Sequence, residues 1–350
     1  MKNFTTGNKK VCRLAASLLV CAFAAFSVFA NAQMEDSQIQ PGAVPPQINF
    51  GVLNGPSGMC FAQMFDYVPY INGVPVNYEV CASPDVILPK LLKNEINIGI
   101  LPPNVAAKVF NASNGSIVCA GVSGFGMLNI LTSSQNIKSL DQLKGKTLYV
   151  AGQGATPEYL LRYLLAQNGI KEGEIELDFS IPANELAAAL LSGKIENALM
   201  PEPFKTVALT NAKQNSKNIY VAVNLQEEWQ KIQAKNAENN AILQNYPMTM
   251  IVVTRSFAQK YPEYVKDFLI LAQNSIAFSV AKPEIAGEMV EKHTLGLKAA
   301  VAAKAIPNCA FGFVSAQDAK PQVEQLLSVF LQFAPNSIGG ALPAGDFYFK

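Results

Sequence analysis

Histidine and tryptophan are almost missing from this chain, with one of each in 350 residues, His293 and Trp229. A single imidazole leaves no histidine pair for a structural zinc site and makes a nucleophile with a histidine base improbable. His293 lies in a charged helical run and reads as a solvated surface residue. Excess charge is missing too: 27 basic residues stand against 26 acidic ones, so no basic face for nucleic acid is implied. No phosphate loop and no serine elbow appear. Gly152-Gln153-Gly154 begins a dinucleotide fingerprint, but Pro157 stands where the third glycine belongs. No cofactor, metal site or catalytic residue is therefore expected.

Long apolar runs are also lacking. The one near the start, Leu14 to Phe29, has 16 residues, fewer than the roughly 20 that span a bilayer. Lys2, Lys9, Lys10 and Arg13 precede it and Ala30-Asn31-Ala32 follows, which is the pattern of a cleaved export signal over residues 1–32. Lipidation at Cys21 is the rival processing route, disfavoured by Val20 just before it. Removing the signal takes four basic residues and no acidic one, leaving 23 against 26 and a net charge of −3. Four cysteines remain, Cys60, Cys81, Cys119 and Cys309, without a short paired spacing. They allow three full disulfide pairings, while Cys60 and Cys119 read most simply as buried packing residues.

What is present is a repeated plan of strand, small-residue turn and helix. Thr147 to Val150 is a strand, Ala151 to Ala155 a turn, and Leu160, Leu161, Leu164 and Leu165 the inward stripe of a helix stopped at Gly169. Thr156 is expected to cap that helix, Pro157 to occupy its first position and Glu158 to complement its dipole. The absence of bulk at Gly152, Gly154 and Ala155 lets a small molecule approach backbone N–H groups. Ile48 to Leu53, Asn54 to Gly58 and a helix from Met59 to Tyr67 repeat the plan about a hundred residues earlier. Two α/β lobes presenting helix N-termini to one cleft are expected, and 318 residues suit two cores.

Residues 33–46, rich in proline, form a lead-in. A first lobe takes residues 47–126 with 255–334, and a second takes 127–254 with the crossings at Met127 to Thr132 and Met248 to Thr254. Strands at 76–80, 96–101 and 117–122 alternate with helices at 84–94 and 105–110, the signature of a mainly parallel sheet. Strands at 175–179, 197–200 and 219–223 alternate with helices at 183–192, after Phe204, and at 225–240. The helices after residue 255 are expected to pack on the first lobe, and the tail 335–350, with three glycines, to be loosely ordered.

Four stretches carry a family resemblance: Gly51 to Gly58, Asn97 to Pro102, Gly152 to Tyr159, and Leu199-Met200-Pro201-Glu202-Pro203-Phe204. In their order and spacing, over about residues 47–290, the chain resembles the solute-binding proteins of ABC importers, in the nitrate/sulfonate/taurine and thiamine-precursor group. The resemblance implies an α/β, two-lobed type II periplasmic-binding fold with a two-strand hinge, holding a small solute between lobes and delivering it to a membrane permease. It implies a monomer outside the cytoplasm, and solute contacts from the turns at Ser57, Gly58, Asn104, Phe125, Gly154, Ala155, Thr156 and Glu202.

None of these turns carries Lys or Arg, whereas Glu202 offers a carboxylate and Phe61, Phe125, Tyr159 and Phe204 offer rings. That leans towards a neutral or amino-bearing ring, such as a pyrimidine precursor, while a sulfonate or nitrate held at the two helix N-termini stays open. Each assignment has a plainer alternative: Ser57 and Thr156 as helix caps, Glu202 as a first-turn carboxylate, Phe61 and Tyr159 as core. Two further functions stay open. One is an enzyme on this fold, similar to pyrimidine-precursor synthases, which use a lysine-bound cofactor and reactive histidines; the other is a ligand-sensing subunit.

Overall fold

A computed structural model describes residues 42–236 and 245–350, and the stretch Ala43–Lys350 is one compact unit. The export segment, Cys21 and most of the lead-in lie outside the described residues, as does the last part of the helix expected to reach residue 240. The chain opens with β1 (Ile48–Leu53), α1 (Pro56–Met59), α2 (Ala62–Tyr67), β2 (Tyr70–Ile71), β3 (Val74–Cys81), α3 (Pro84–Leu92), β4 (Ile98–Leu101), α4 (Pro103–Ala112) and β5 (Ile117–Phe125). It continues through β6 (Leu128–Thr132), β7 (Thr147–Val150), α5 (Thr156–Gln167), β8 (Glu176–Asp178), α6 (Ala183–Leu191), β9 (Asn197–Pro201), α7 (Phe204–Gln214), β10 (Tyr220–Asn224) and α8 (Leu225–Asn236). The last stretch is β11 (Pro247–Thr254), α9 (Arg255–Lys260), α10 (Pro262–Ala281), α11 (Pro283–Lys292), α12 (Ala299–Ala305), β12 (Phe311–Ser315) and α13 (Ala316–Phe333).

These strands form two sheets, ordered β12-β5-β11-β4-β1-β3-β2 and β10-β6-β9-β7-β8. Each contains three adjacent parallel strands, β3-β1-β4 in the larger and β8-β7-β9 at one end of the smaller. Each then adds an antiparallel strand, β11 beside β4 and β6 beside β9. The exchange is reciprocal, since β6 is the first strand after the chain leaves the larger sheet and β11 the strand on which it returns. The strands flanking the exchange are buried along their length, β4 and β5 without an exposed position, as sheets covered on both faces require.

Only Gly126 and Met127 separate β5 from β6, so the outward crossing is nearly taut. The return runs through α8 and the fully buried Tyr246, whose ring meets Trp229 at 5.7 Å. The two crossings touch at Gly126: a Cβ there would stand 2.6 Å from Tyr246 Cζ and would also collide with Gln226.

Several sequence expectations are revised. The first helix starts at Pro56, inside the turn, and is broken at Cys60 and Phe61 into two short pieces. Edge strand β2 and strand β12 are additional, and α4 extends to Pro103–Ala112. While α10 lies on the larger sheet, α13 also reaches the smaller one: Phe330 meets Tyr159 of α5 edge-on at 5.4 Å, and Gln325 donates to Gln233 of α8 at 2.6 Å. The tail is ordered, with Phe347 and Tyr348 buried and the Phe349 N–H donating to the Cys119 carbonyl at 2.8 Å. His293 is partly buried, its Nε2 2.8 Å from Asp66 Oδ1 and its ring 5.3 Å from Phe65. All four cysteines are free and buried, and burial pushes the Cys119 thiol up to about 12. No described helix is long and apolar enough to cross a membrane.

Candidate functional site

In open α/β sheets ligands lie beyond the carboxyl ends of the parallel strands. Here β1, β4 and β9 end at Leu53, Leu101 and Pro201. These ends line a half-open cavity of about 170 Å³ that also takes in Pro56, Ser57, Ile100 and Pro102, with Met127 and Met248 from the crossings, Thr249, and Glu202 and Phe204 at the start of α7. Both sheets therefore contribute walls, and nearly all the wall atoms are apolar.

The polar side chains of this lining are each engaged within the protein. Ser57 Oγ donates to the Leu53 carbonyl at 3.2 Å, and Thr249 Oγ1 shares a 3.0 Å hydrogen bond with Ser123 Oγ. Glu202 is fully buried. Its N–H donates to the Met127 carbonyl at 3.0 Å, tying the end of β9 to the outward crossing. Its Oε2 accepts the Thr206 N–H at 3.1 Å, satisfying a free first-turn donor of α7. Its Oε1 lies 2.8 Å from Lys205 Nζ, an ion pair without the alignment of a hydrogen bond. Burial raises the nearby Cys309 thiol; Glu202 adds to that shift and Lys205 opposes it.

Of the eight expected residues, Ser57 and Glu202 line the cavity and the other six do not. Gly58 packs against its own strand: a Cβ there would stand 2.7 Å from the Leu53 carbonyl oxygen, so only glycine allows this approach. Phe125 ends β5 within the core that joins the sheets, and its N–H donates to the Ala310 carbonyl at 3.1 Å. In the turn before α5 the amides are engaged, Gly154 N–H with Glu158 Oε2 at 2.8 Å and Ala155 N–H with the Gly152 carbonyl at 3.3 Å.

Ala155, not Thr156, caps this helix, and Pro157 is its second residue. Glu158 reaches back to the Gly154 N–H, ahead of the helix, with one oxygen and binds Arg162 Nε with the other at 2.9 Å. Thr156 Oγ1 and Asn104 Oδ1 remain buried without a hydrogen-bond partner.

Of the rings, Phe204 reaches the cavity, whereas Phe61 packs edge-on against Phe50 at 5.2 Å and Tyr159 against Phe330. Sequence reasoning missed the apolar walls and Lys205. Met127 and Met248 had a signal, since each opens a crossing strand in the sequence reading, where a flexible side chain adapts to either sheet. Lys205 had only its place three residues after Glu202, the spacing of neighbours on one helix face.

Two sheets that exchange a strand and line a cavity between their strand ends define the two-lobed, type II periplasmic-binding fold. The family model described as NMT1/THI5 like matches residues 123–286, part of the stretch over which the sequence resemblance runs. An ABC transporter structure from Parabacteroides distasonis is similar over 87% of this chain and 99% of its own, at 26% identity and a TM-score of 0.73. The periplasmic aliphatic sulphonate binding protein of Escherichia coli is similar over 86% of this chain and 94% of its own, at 18% identity and a TM-score of 0.65. For the periplasmic nitrate-binding protein of Synechocystis PCC 6803 the values are 86%, 84%, 12% and 0.57. The last two likenesses bear on the fold alone. No curated protein matches the sequence. These findings fall in the group that the sequence resembles.

Proposed function

We propose that the protein is the extracytoplasmic solute-binding subunit of an ABC importer, a monomer exported by residues 1–32 that captures one compact molecule between its lobes and delivers it to membrane permease subunits. The observation that carries this reading is the cavity itself, lined by strand ends from both sheets and by both crossings. Its polar lining groups are each bonded to neighbouring protein groups rather than to one another as a nucleophile and a base, which favours capture over conversion.

The solute is a single small ring of the pyrimidine-precursor kind. An apolar cavity of about 150 Å³ accommodates benzene, so about 170 Å³ suits one substituted six-membered ring. Phe204 supplies a ring face and Glu202 the polar contact. A sulfonate or nitrate would have to be held by backbone N–H groups, since the one ammonium beside Glu202, on Lys205, is paired with that carboxylate. Asn104 and Thr156 are further proposed contacts, because each keeps a buried oxygen with no protein partner. Ser57 completes the lining on the side of the larger sheet.

Thermal unfolding of the exported chain with substituted pyrimidines, sulfonates and nitrate tests this reading. A ligand at a hundred times its dissociation constant stabilises the folded state by about 2.7 kcal/mol, and the melting point should rise for the ring compounds alone. A response to sulfonates or nitrate alone would overturn the ligand class, and silence from every class with folded protein would overturn solute capture. Affinity for a ring ligand unchanged in Glu202→Gln would remove Glu202 from the site.

A further inference from the structure

Behind the Glu202–Lys205 pair lies a second hollow, of about 730 Å³, that the solute-binding reading does not use. Lys205, Thr206, Thr210 and Lys213 of α7 form one wall, and Lys304 of α12 with Asn308 just beyond it forms the other. The walls come from different lobes, since α7 follows β9 of the smaller sheet and α12 belongs to the segment packed on the larger one. Every polar side chain of the lining can donate a hydrogen bond, and no carboxylate is among them. Among the described residues neither Lys213 nor Lys304 makes an ion pair, whereas Lys205 is held by Glu202. Three ammonium groups against that one carboxylate leave two positive charges facing a concavity, where low-dielectric walls focus the field.

We propose that this hollow is a binding site for a dianionic oxyanion of the inorganic phosphate class, held between α7 and α12 and so bridging the lobes. The charge matches a dianion. Lysine suits this role as a compact point charge with three donors, and the Thr206 and Thr210 hydroxyls and the Asn308 amide supply the remaining donors. The breadth of the hollow leaves the anion partly hydrated, with water carrying some of the contacts.

The test is thermal unfolding of the exported chain in inorganic phosphate against chloride at equal ionic strength, alongside the double variant Lys213→Gln/Lys304→Gln. Both lysines are exposed, so the variant keeps the fold and the apolar cavity. At a hundred times the dissociation constant the wild-type chain should gain about 5 °C over chloride, and the variant should gain nothing. Equal gains in both would mark general stabilisation by an excluded salt and overturn the proposal, as would no gain in either. Cosedimentation with phosphatidylglycerol vesicles without any response to free phosphate would assign these lysines to a membrane surface and overturn it too.

Discussion

Glu202 sets the local logic of the site. A buried carboxylate is tolerated only with partners, and this one has the Thr206 amide and the Lys205 ammonium. Lys205→Met would leave the charge buried with one partner lost, and should cost about 3–5 kcal/mol in urea unfolding, with part recovered on adding Glu202→Gln.

Asp66 makes the residue-scale case at the surface. Burial alone would raise its carboxyl, but hydrogen bonds from Lys292 and His293, with their charges, outweigh that and hold it below the usual carboxylate range. A depressed folded value contributes stability that is present above the unfolded value of about 3.9 and disappears as pH falls through the folded one. The wild-type chain should therefore lose stability faster than Asp66→Asn on acidification below pH of about 4, as read by denaturant midpoints against pH.

Among the elements, α13 and the tail decide how the lobes are held. Phe330 crosses from the larger sheet to Tyr159 of α5, and the tail closes behind it with Phe347 edge-on to Phe110 at 5.0 Å and to Tyr348 at 5.1 Å. Phe347 is fully buried, so Phe347→Ala should cost about 3–5 kcal/mol of unfolding free energy, a loss that a loose tail would not show. Glycine content suggests freedom for residues 335–350, but the phenylalanine and tyrosine side chains near the terminus outweigh it by the apolar area they bury.

For the whole molecule, solute capture depends on two lobes joined by a short crossing at Gly126 and Met127 and a longer one through α8. Hinge closure around a ligand is how such a pair responds when one arrangement binds better than the other. A ring compound that raises the melting point should also reduce the radius of gyration in small-angle scattering, and a sulfonate that leaves the melting point unchanged should leave the radius unchanged.

The alternation of strands and helices apart from β2 and β12, the helix start at Pro84, the lead into a helix at Phe204, the stripe of α5 with its stop at Gly169 and the apolar strands were legible along the chain, because each follows from local spacing and backbone preference. Ser57 and Glu202 were legible for the same reason, standing in turns at strand ends. The walls of the cavity were not. Leu53, Leu101, Met127 and Met248 look like any core residue in sequence, and only the strand exchange between sheets brings them to one face. The partners of polar groups were hidden as well: Glu158 takes the Gly154 amide meant for a ligand, and Lys205 takes the Glu202 charge. Local chemistry along the chain settled which elements form, whereas tertiary packing decided which of their groups remain free to meet a solute, because every buried donor or charge binds whatever partner the fold brings within reach.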